Sequence, residues 1–364
     1  MADRVRYGII GTGMMGVEHI NNLLAIDGAA VTALSDPHVQ SLDRGTHAVG
    51  TDARVARFTD HRELIAADVC DAVVIASPNH THHEVLLDVL ASPLHVLVEK
   101  PLCTTVADCR SAVEAAADGP AGRVVWMGLE YRYMPPTQRL MQEVEAGTVG
   151  NVRMVAIREH RFPFLHKVGN WNRFNRYTGG TLVEKCCHYF DLMNLVIARR
   201  PVRVMASGGQ AVNHLDETYD GERPDILDHA YVVVEYDGGA RAVLDLCLFA
   251  EASKNEQELC VIGDEGKLES LVTEGILRIG RRADGIGVVS EHDTHDPRVK
   301  FAGFHHGSSY LEHLDFLEAI RRGGPAKVTL TDGLWSVAIG QAAHRSIEES
   351  RWVLLDELVG PESS

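Results

Sequence analysis

The sequence predicts an α/β fold made of two domains, and three observations support this prediction. At 364 residues, the chain exceeds the length at which one hydrophobic core usually stops growing. Its first part alternates short apolar strands with helical patterns, which is typical of a parallel sheet flanked by helices. After about Gly128, β-rich runs dominate. We therefore expect a first domain of residues 1–128 and a second of residues 129–364.

The composition limits the partners of the protein. Asp and Glu number 51 against 35 Lys and Arg, so the formal net charge of −16 repels a nucleic-acid backbone. No run reaches the ~18 apolar residues that span a bilayer, and the N-terminus lacks the pattern of a signal peptide. The 7 cysteines show no paired CxxC spacing, which indicates reduced thiols rather than disulfides or structural zinc. We expect a cytoplasmic protein that binds neither nucleic acid nor a membrane.

The first strand, VRYGII, ends in a glycine-rich turn that leads into a helical pattern. Glycines at this spacing between a strand and a helix allow a tight turn, the close approach of a pyrophosphate, and packing of the helix on the strand. The phosphates then bind at the helix N-terminus. The pattern predicts a Rossmann dinucleotide-binding domain whose turn contacts the cofactor through Gly11, Thr12, Gly13, Met14, Met15 and Gly16.

The second strand, AAVTALSD, ends at Asp36, roughly where the ribose-binding acid of such domains lies. A carboxylate there accepts a hydrogen bond from the 2′-hydroxyl of NAD and repels the 2′-phosphate of NADP. No Arg or Lys lies immediately beside Asp36. The sequence therefore predicts NAD rather than NADP, with a simple turn at Asp36 and Pro37 as the alternative interpretation.

Polar residues follow two further strands, DAVVIASP and HVLVEKP. Ligands of open parallel sheets gather at the carboxyl ends of the strands. We predict that these ends complete the cofactor site, with Lys100 facing the nicotinamide, through Ser77, Pro78, Asn79, His82, Glu99 and Lys100. The alternative for Lys100 is an ordinary surface charge at a strand end.

Residues 179–194, GGTLVEKCCHYFDLMN, concentrate reactive groups. The glycines break the chain and Thr181 is a candidate N-cap, so a helix is expected from Leu182. On one helix, Glu184, His188 and Asp191 would share a face. Alternatively, Thr181 and Glu184 form a capping box and Asp191 is a surface acid.

A zinc site at Cys186, Cys187 and His188 is disfavoured. Adjacent cysteines point away from each other on a helix, and no further ligands are spaced for a tetrahedral site. We expect the two thiols to be small buried residues and predict no metal.

Together, these motifs resemble the glucose-fructose oxidoreductase, inositol dehydrogenase and rhizopine-catabolism (Gfo/Idh/MocA) family. The matching segments occur in the family's order and cover nearly the whole chain: GIIGTGMMG, DAVVIASPNHTHHE, VEKP, GGTLVEKCCHYFDL and GSSYLEHLDFLEAI. The resemblance implies that the Rossmann domain precedes an α/β domain with a large, mainly antiparallel open sheet, which commonly pairs subunits into homodimers or homotetramers. The β-rich runs agree with this, and residues 237–239, Asp-Gly-Gly, predict a hairpin between two of them.

The resemblance also implies roles for site residues. Family members carry a histidine at the position of His188 that takes a proton from the substrate hydroxyl, and Lys100 of the EKP motif can polarise the same oxygen. The family usually has an aspartate one turn before the histidine. Here Glu184 stands at that position, one methylene longer. We therefore assign Lys100, His188 and Glu184 as the catalytic residues.

A basic stretch at residues 158–176 suggests the substrate class. Arg158, Arg161, Lys167, Arg173 and Arg176 face only one acid, Glu159, in the sequence. Such a surface concentrates anions, so we expect an anionic sugar or polyol. The predicted substrate-binding residues are Lys167, Trp171, Asn172, Arg173 and Arg176 of this stretch, Tyr131 and Arg132 of a segment that resembles one near the family's cleft, and Glu184 and His188. Alternatively, the basic residues pair with acids of a neighbouring subunit or stay solvated.

Three classes of function fit these residues. The leading one is an NAD-dependent dehydrogenase of a sugar, sugar acid, cyclitol or glycoside. The second is an NAD-dependent glycosidase, which oxidises the sugar transiently, eliminates the aglycone and returns the hydride. The third is a nucleotide-binding sensor without turnover, against which the intact matches at Gly11, Asp36, Lys100 and His188 argue.

Overall fold

The computed structural model describes residues 4–50 and 54–360. By its contacts the chain divides into two compact units, and neither is continuous in sequence. The first unit comprises Met1–Glu130, Lys167–Trp171 and Arg298–Leu334. The second comprises Tyr131–His166, Asn172–Pro297 and Trp335–Ser364. The division into domains 1–128 and 129–364 stays a prediction, whereas the contacts place two later segments with the first unit.

A parallel sheet of 6 strands forms the first unit, in the order β3-β2-β1-β4-β5-β6. This is the strand order of a doubly wound dinucleotide-binding fold. The strands are β1 (Val5–Ile10), β2 (Ala29–Ser35), β3 (Ala56–Phe58), β4 (Ala72–Ile75), β5 (His95–Glu99) and β6 (Val125–Gly128). Every residue of β4 is buried, as expected for a strand covered on both faces. The short strands β3 and β6 had no clear sequence signal.

Helices connect the strands of this sheet: α1 (Met14–Leu24), α2 (Val39–Val49), α3 (His61–Ala66), α4 (His82–Leu90) and α5 (Val106–Asp118). Each connection returns the chain to the same edge of the sheet, so the carboxyl ends of the strands lie together. The predicted cofactor residues follow the first, second, fourth and fifth strands.

The second unit contains a sheet of 9 strands in the order β14-β13-β12-β11-β7-β10-β9-β8-β15. Its strands are β7 (Val152–His160), β8 (Pro201–Gly209), β9 (His229–Tyr236), β10 (Arg241–Cys247), β11 (Gln257–Gly263), β12 (Gly266–Leu271), β13 (Ile276–Arg281), β14 (Ser290–Asp293) and β15 (Val353–Leu354). Neighbouring strands are antiparallel except for β7 and β10. The predicted mainly antiparallel sheet is therefore confirmed, as is the hairpin between β9 and β10.

The remaining helices are α6 (Pro135–Glu145), α7 (Asn175–Thr178), α8 (Thr181–Glu184), α9 (Cys187–Ile197), α10 (Ser308–Arg322), α11 (Leu330–Glu349) and α12 (Asp356–Val359). α9 packs against β7. Within residues 4–50 and 54–360, no helix is both long and apolar enough to cross a membrane.

The prediction of one helix from Leu182 is wrong, because the chain forms α8 and α9 with Lys185 and Cys186 in a turn between them. Backbone hydrogen bonding starts again at the carbonyl of Cys186. The predicted N-cap is also wrong. Gly180 is the N-cap with φ 91°, and the Thr181 hydroxyl donates to the carbonyl of Leu227 at 2.7 Å. Thr181 is instead the first residue of α8, and no side chain caps this helix end.

Candidate active site

The glycine-rich turn between β1 and α1 has two glycines at which the surrounding backbone leaves no room for a side chain. A Cβ on Gly11 would lie 2.5 Å from the backbone nitrogen of Ser77, and one on Gly16 would lie 2.0 Å from the carbonyl oxygen of Gly11. Neither position can hold a larger residue without a backbone shift. These glycines therefore bring the turn close to the end of β4 and to the start of α1.

Gly13 differs from its neighbours, because a Cβ there would meet no atom within 4 Å. It is the N-cap of α1 and no side chain caps this helix end. The open space lies before the first turn of α1, where backbone N–H groups favour an anion. The open space thus fits the phosphates of a dinucleotide, and cofactor contacts of Thr12, Met14 and Met15 stay predictions.

Asp36, at the end of β2, is buried and lies against the same turn. Its Oδ2 accepts hydrogen bonds from the backbone nitrogen of Thr12 at 2.8 Å and from the Thr12 hydroxyl at 3.2 Å. Its Oδ1 accepts from the backbone nitrogen of His38 at 2.8 Å. The carboxylate therefore shapes the turn after β2 and borders the glycine-rich turn, and its contact with the cofactor ribose stays a prediction.

The segment after β4 is anchored by His82. The Nδ1 of His82 lies 2.8 Å from the carbonyl oxygen of Pro101, and its Nε2 lies 3.0 Å from that of Ser77. The Ser77 hydroxyl accepts a hydrogen bond from Thr81 at 2.7 Å. The ring of His82 thus fastens the segment with Pro78 and Asn79 to the residues after β5. Direct cofactor contacts of these four residues stay a prediction.

Glu99, at the end of β5, belongs to a buried chain of polar groups. Its Oε1 lies 2.9 Å from Nε2 of His19, and its Oε2 accepts from the backbone nitrogen of Lys100 at 2.9 Å. The Nδ1 of His19 lies 2.8 Å from Nε2 of His313. His19 comes from the buried side of α1 and His313 from α10. Sequence reasoning missed both histidines, whose signal was only their position on apolar helix faces.

The carboxyl group of Glu99 is held in its ionised form beside Lys100. Burial opposes ionisation of Glu99, but the hydrogen bond and charge of His19 and the charge of Lys100 lower its pKa to about 2. Burial and the charge of His19 hold the pKa of His313 well below its usual value. A carboxylate at Glu99 favours the charged form of Lys100 in return. The two oxygens of Glu99 bond His19 and the backbone nitrogen of Lys100, and their negative charge favours the ammonium form of the lysine.

His188 lies buried in α9 in the second unit. Its ring stacks on the ring of Tyr131, with centroids 3.9 Å apart and planes 5° from parallel. Glu184 is also buried, at the end of α8. Arg132 binds Asp191 with two hydrogen bonds, from Nε at 2.7 Å and from NH2 at 2.5 Å. The structure thus brings Tyr131 to His188 and gives Asp191 an arginine partner.

A buried lysine completes this cluster, and sequence reasoning had assigned it no role. The Nζ of Lys185 donates to the hydroxyl of Tyr131 at 2.6 Å and lies 3.0 Å from Oε1 of Glu159. Arg161 lies 3.5 Å from the same carboxylate oxygen. The only signal in the sequence was that Lys185 lies among the reactive residues of the segment that contains His188.

The basic stretch is largely neutralised by acids from elsewhere in the chain. Arg158 pairs with Glu258, Arg173 with Glu217 and Arg176 with Glu222. Arg173 is almost fully buried. Burial raises the pKa of Glu217, but hydrogen bonds of His214, Arg173 and Tyr219 lower it to about 2. Because successive strand residues alternate, Arg158 lies on the sheet face opposite Glu159.

Two predicted substrate residues of the stretch, Lys167 and Trp171, belong to the first unit. The ammonium of Lys167 lies 5.7 Å from the ring centroid of Trp171. Trp171 also contacts the ring of His80 edge-on, with centroids 6.2 Å apart. Asn172 begins the next stretch of the second unit and donates to the carbonyl of Leu165 at 2.9 Å. Substrate contacts of all these residues stay predictions.

The cysteines follow the expectation of small buried residues, since Cys186 and Cys187 are fully buried. In the part of the chain that the structure describes, no group of three or more His, Cys, Asp or Glu side chains is arranged to hold a metal ion.

Sequence profiles of protein families match most of the chain. Residues 5–129 match the NAD-binding Rossmann fold of the Gfo/Idh/MocA oxidoreductase family. Residues 142–355 match the C-terminal α/β domain of the same family. The predicted fold class and the prediction of NAD as cofactor are thereby confirmed.

Named relatives align over most or nearly all of the chain. Myo-inositol 2-dehydrogenase of Thermotoga maritima is 28% identical over 361 residues, covering 98% of this chain and 100% of the relative. The NAD(+)-dependent scyllo-inositol 2-dehydrogenase of Bacillus subtilis is 24% identical, covering 98% of both chains. A 2,7-anhydro-N-acetylneuraminate hydratase of Escherichia coli is 23% identical, covering 81% of this chain and 76% of its own.

Solved structures agree in fold. An oxidoreductase domain protein from Kribbella flavida superposes with a TM-score of 0.85 at 22% identity, covering 98% of this chain and 100% of that chain. Levoglucosan dehydrogenase, in complex with NADH and levoglucosan, superposes with a TM-score of 0.84 at 18% identity, covering 97% and 100%.

Proposed function

Because the chain belongs to the Gfo/Idh/MocA oxidoreductase family, we propose that it oxidises a ring hydroxyl of a cyclitol, sugar, sugar acid or glycoside with NAD. Two relatives that align over nearly the whole chain are inositol 2-dehydrogenases, which supports a polyol or sugar as substrate. The observation that carries the proposal is the buried imidazole of His188 held flat against Tyr131.

His188 is proposed as the proton acceptor. Oxidation of a secondary alcohol leaves a carbonyl, so the hydroxyl proton must move to a base with a pKa near the ambient pH, which histidine supplies. NAD, when bound, accepts the hydride from the same carbon. Stacking on Tyr131 fixes the plane of the imidazole, so the ring is held in one orientation before substrate arrives.

Lys100 is proposed to polarise the reacting oxygen. An ammonium stabilises the negative charge that develops on this oxygen as its proton leaves. The adjacent carboxylate of Glu99, whose pKa is about 2 because of His19 and Lys100 in spite of burial, supports the charged state of the lysine. Glu184 is the third proposed catalytic residue, holding the substrate and tuning His188.

An anionic group on the substrate is part of the proposal. Lys167 and Trp171 offer an ammonium and an aromatic face in mutual contact, which suits a charged group attached to a sugar ring. Substitution of Lys167 by Met should raise KM for an anionic substrate and leave KM for a neutral analogue unchanged. Equal effects on both substrates would contradict this part.

An NAD-dependent glycosidase is the second candidate function. Elimination needs a group that protonates the departing oxygen in addition to the base, and the hydroxyl of Tyr131 bonded to Lys185 is such a group. The relative named as a hydratase supports redox-neutral chemistry, because net hydration requires no net oxidation.

One assay separates the two candidates. Purified protein is incubated with NAD and a panel of inositols, sugars, sugar acids and aryl glycosides while NADH absorbance and aglycone release are recorded together. NADH that rises in step with substrate loss supports the dehydrogenase. Aglycone release that requires NAD without net NADH supports the glycosidase, and no conversion of any panel member would contradict both.

A further inference from the structure

We propose that Tyr131 is a second proton-transfer group beside His188, and that Lys185 stabilises the phenolate that Tyr131 becomes when it gives up its proton. The inference rests on the proposed function and deepens it, because it gives the site a donor for a departing oxygen as well as an acceptor for the hydroxyl proton.

Tyr131 contacts both Lys185 and His188. Its hydroxyl accepts a hydrogen bond of 2.6 Å from the ammonium of Lys185, and its ring stacks on His188 with centroids 3.9 Å apart. Tyr131 and Lys185 are both buried. A charged donor on a phenol oxygen favours ionisation, and the effect is stronger away from water.

Charged side chains surround the contact between Tyr131 and Lys185. Lys185 and Arg161 bring two positive charges to one carboxylate, that of Glu159, which is fully buried. The charge of Glu256 also acts on Arg161. Lys185 can therefore stabilise a negative charge that forms on the Tyr131 oxygen, 2.6 Å from its ammonium. Arg132 and Asp191 lie nearby in sequence and fold, but they neutralise each other.

A second tyrosine in the cluster does not supply that anion. Tyr189 lies edge-on to Tyr131 with ring centroids 5.6 Å apart. Burial and the negative charge of Glu159 hold the pKa of Tyr189 well above its usual value. Tyr131 differs because the ammonium of Lys185 bonds directly to its oxygen. Of the two phenols, Tyr131 is therefore the one whose phenolate has a directly bonded cation.

The proton step is balanced within the site. As an acid, the phenol of Tyr131 gives its proton to a substrate oxygen whose bond to carbon breaks with both electrons going to that oxygen. The O–H bond of the phenol breaks, an O–H bond forms on the leaving group, and Lys185 neutralises the phenolate. A water molecule that adds to the substrate returns the proton to Tyr131.

Tyrosinate absorbance near 295 nm tests the proposal without any substrate. The NAD-loaded protein is titrated from neutral to alkaline pH, and the same titration is made with Tyr131→Phe, Tyr189→Phe, Lys185→Met and Lys185→Arg. We expect one tyrosine to ionise before the others in the wild type. Tyr131→Phe should remove this early step, whereas Tyr189→Phe should keep it.

The lysine variants test the role of Lys185. Lys185→Met should move the early step to higher pH by about 1–3 units, the usual effect of an opposite charge at this distance. Lys185→Arg, which keeps the charge, should leave the step near its original pH and also covers the case in which the methionine variant does not fold. In turnover, the pH profile of kcat should shift in the same direction in Lys185→Met.

Three results would overturn the proposal: no early step in the wild type, an early step that survives in Tyr131→Phe, or one that does not move in Lys185→Met. The titration is independent of turnover. A protein that converts no panel substrate yet shows the early step would therefore contradict the proposed function and not the assignment of Tyr131.

Discussion

Single residues of this site depend on partners that are distant in the sequence. Tyr131 and His188 stack across more than fifty positions, and Glu99 reaches His313 only through His19. Each of these side chains contacts a group on another element of the fold. Substitutions should therefore separate chemistry from positioning.

Substitution of His188 by Gln should remove the proposed proton acceptor. We expect kcat to fall by ~10²–10⁴, the usual contribution of a positioned general base. The affinity for NADH, measured by its fluorescence on binding, should be unchanged. Cys187→Ala on the same helix is the control, which should lower the thermal stability and keep the activity. Full activity in His188→Gln would contradict the assignment.

Substitution of Asp36 by Asn should weaken discrimination between NAD and NADP. The carboxylate is expected to bond the 2′-hydroxyl of NAD, and loss of a charged hydrogen bond of about 1.5–3 kcal/mol corresponds to a drop in affinity of roughly tenfold or more. Asn has one acceptor oxygen and can keep the hydrogen bond from the backbone nitrogen of Thr12 or of His38 but not both, so a lower thermal stability is expected beside the change in affinity. Binding titrations with NADH and NADPH measure the ratio, and an unchanged ratio would contradict the role.

Sequence motifs predict some residues of the site and miss others for a physical reason. Gly11, Asp36 and Lys100 lie at fixed distances from strand ends, so local patterns locate them. Lys185 and His313 act through contacts that only the folded chain creates. No local spacing carries that information.

Among the elements, the glycine-rich turn between β1 and α1 allows a test with a built-in control. Gly13→Ala adds a methyl group to open space at φ −70°, so the unliganded protein should keep its thermal stability. The methyl group should occupy the phosphate position and weaken NAD binding strongly. Gly16→Ala should instead lower the stability, because its methyl group meets the carbonyl of Gly11. Calorimetry with and without NAD measures both, and normal NAD affinity in Gly13→Ala would contradict the site.

The start of α8 depends on His344 of α11. The Nε2 of His344 accepts a hydrogen bond from the backbone nitrogen of Leu182 at 3.1 Å, which requires this nitrogen to be unprotonated. Burial lowers the pKa of His344 from 6.5 to about 4. Between these values the unfolded chain binds a proton that the native chain does not bind. The free energy of unfolding should therefore fall as the pH decreases from 6.5 to 4.

Substitution of His344 by Gln isolates this contribution. The side-chain oxygen of Gln can accept the same hydrogen bond and does not titrate. Denaturant unfolding at several pH values should show that the wild type loses up to about 3 kcal/mol more than the variant on acidification. Parallel curves for the two proteins would contradict the role of His344.

Strands were more predictable than helix boundaries in this chain. The apolar alternation of β7 to β10 and the Asp-Gly-Gly turn are local signals, and both are present in the fold. The break between α8 and α9 was missed, because it accompanies the burial of Lys185 against Glu159 on β7. That contact depends on the sheet rather than on helix propensity.

At the scale of the whole molecule, ion pairs neutralise most arginines of the basic stretch at residues 158–176. Arginines that are clustered in the sequence meet acids from β11 and from the segment before β9. The net charge of −16 therefore includes acids that are used in internal pairs. Sequence charge alone could not separate a binding surface from a set of ion pairs.

The open sheet of the second unit has a face suited to self-association. Tyr231 is 62% exposed and Met154 is 54% exposed on the face opposite the buried side chains of β7 and β9. We propose that this face joins subunits, as the family resemblance implies. Tyr231→Asp should shift the protein to a smaller species in analytical ultracentrifugation, whereas Ile286→Asp in an exposed loop of the same unit should not. An unaltered mass for Tyr231→Asp, or a monomeric wild type, would contradict this interface.

Both candidate functions require that a hydride moves between a ring carbon of the substrate and NAD. The most direct measurement uses the substrate found in the panel with deuterium at the reacting carbon. A dehydrogenase should give reduced cofactor one mass unit heavier, and a glycosidase should give a product that keeps the label. Both should turn over more slowly than with the unlabelled substrate. Conversion at an unchanged rate would contradict the account. Loss of the label from both the cofactor and the product would contradict it as well.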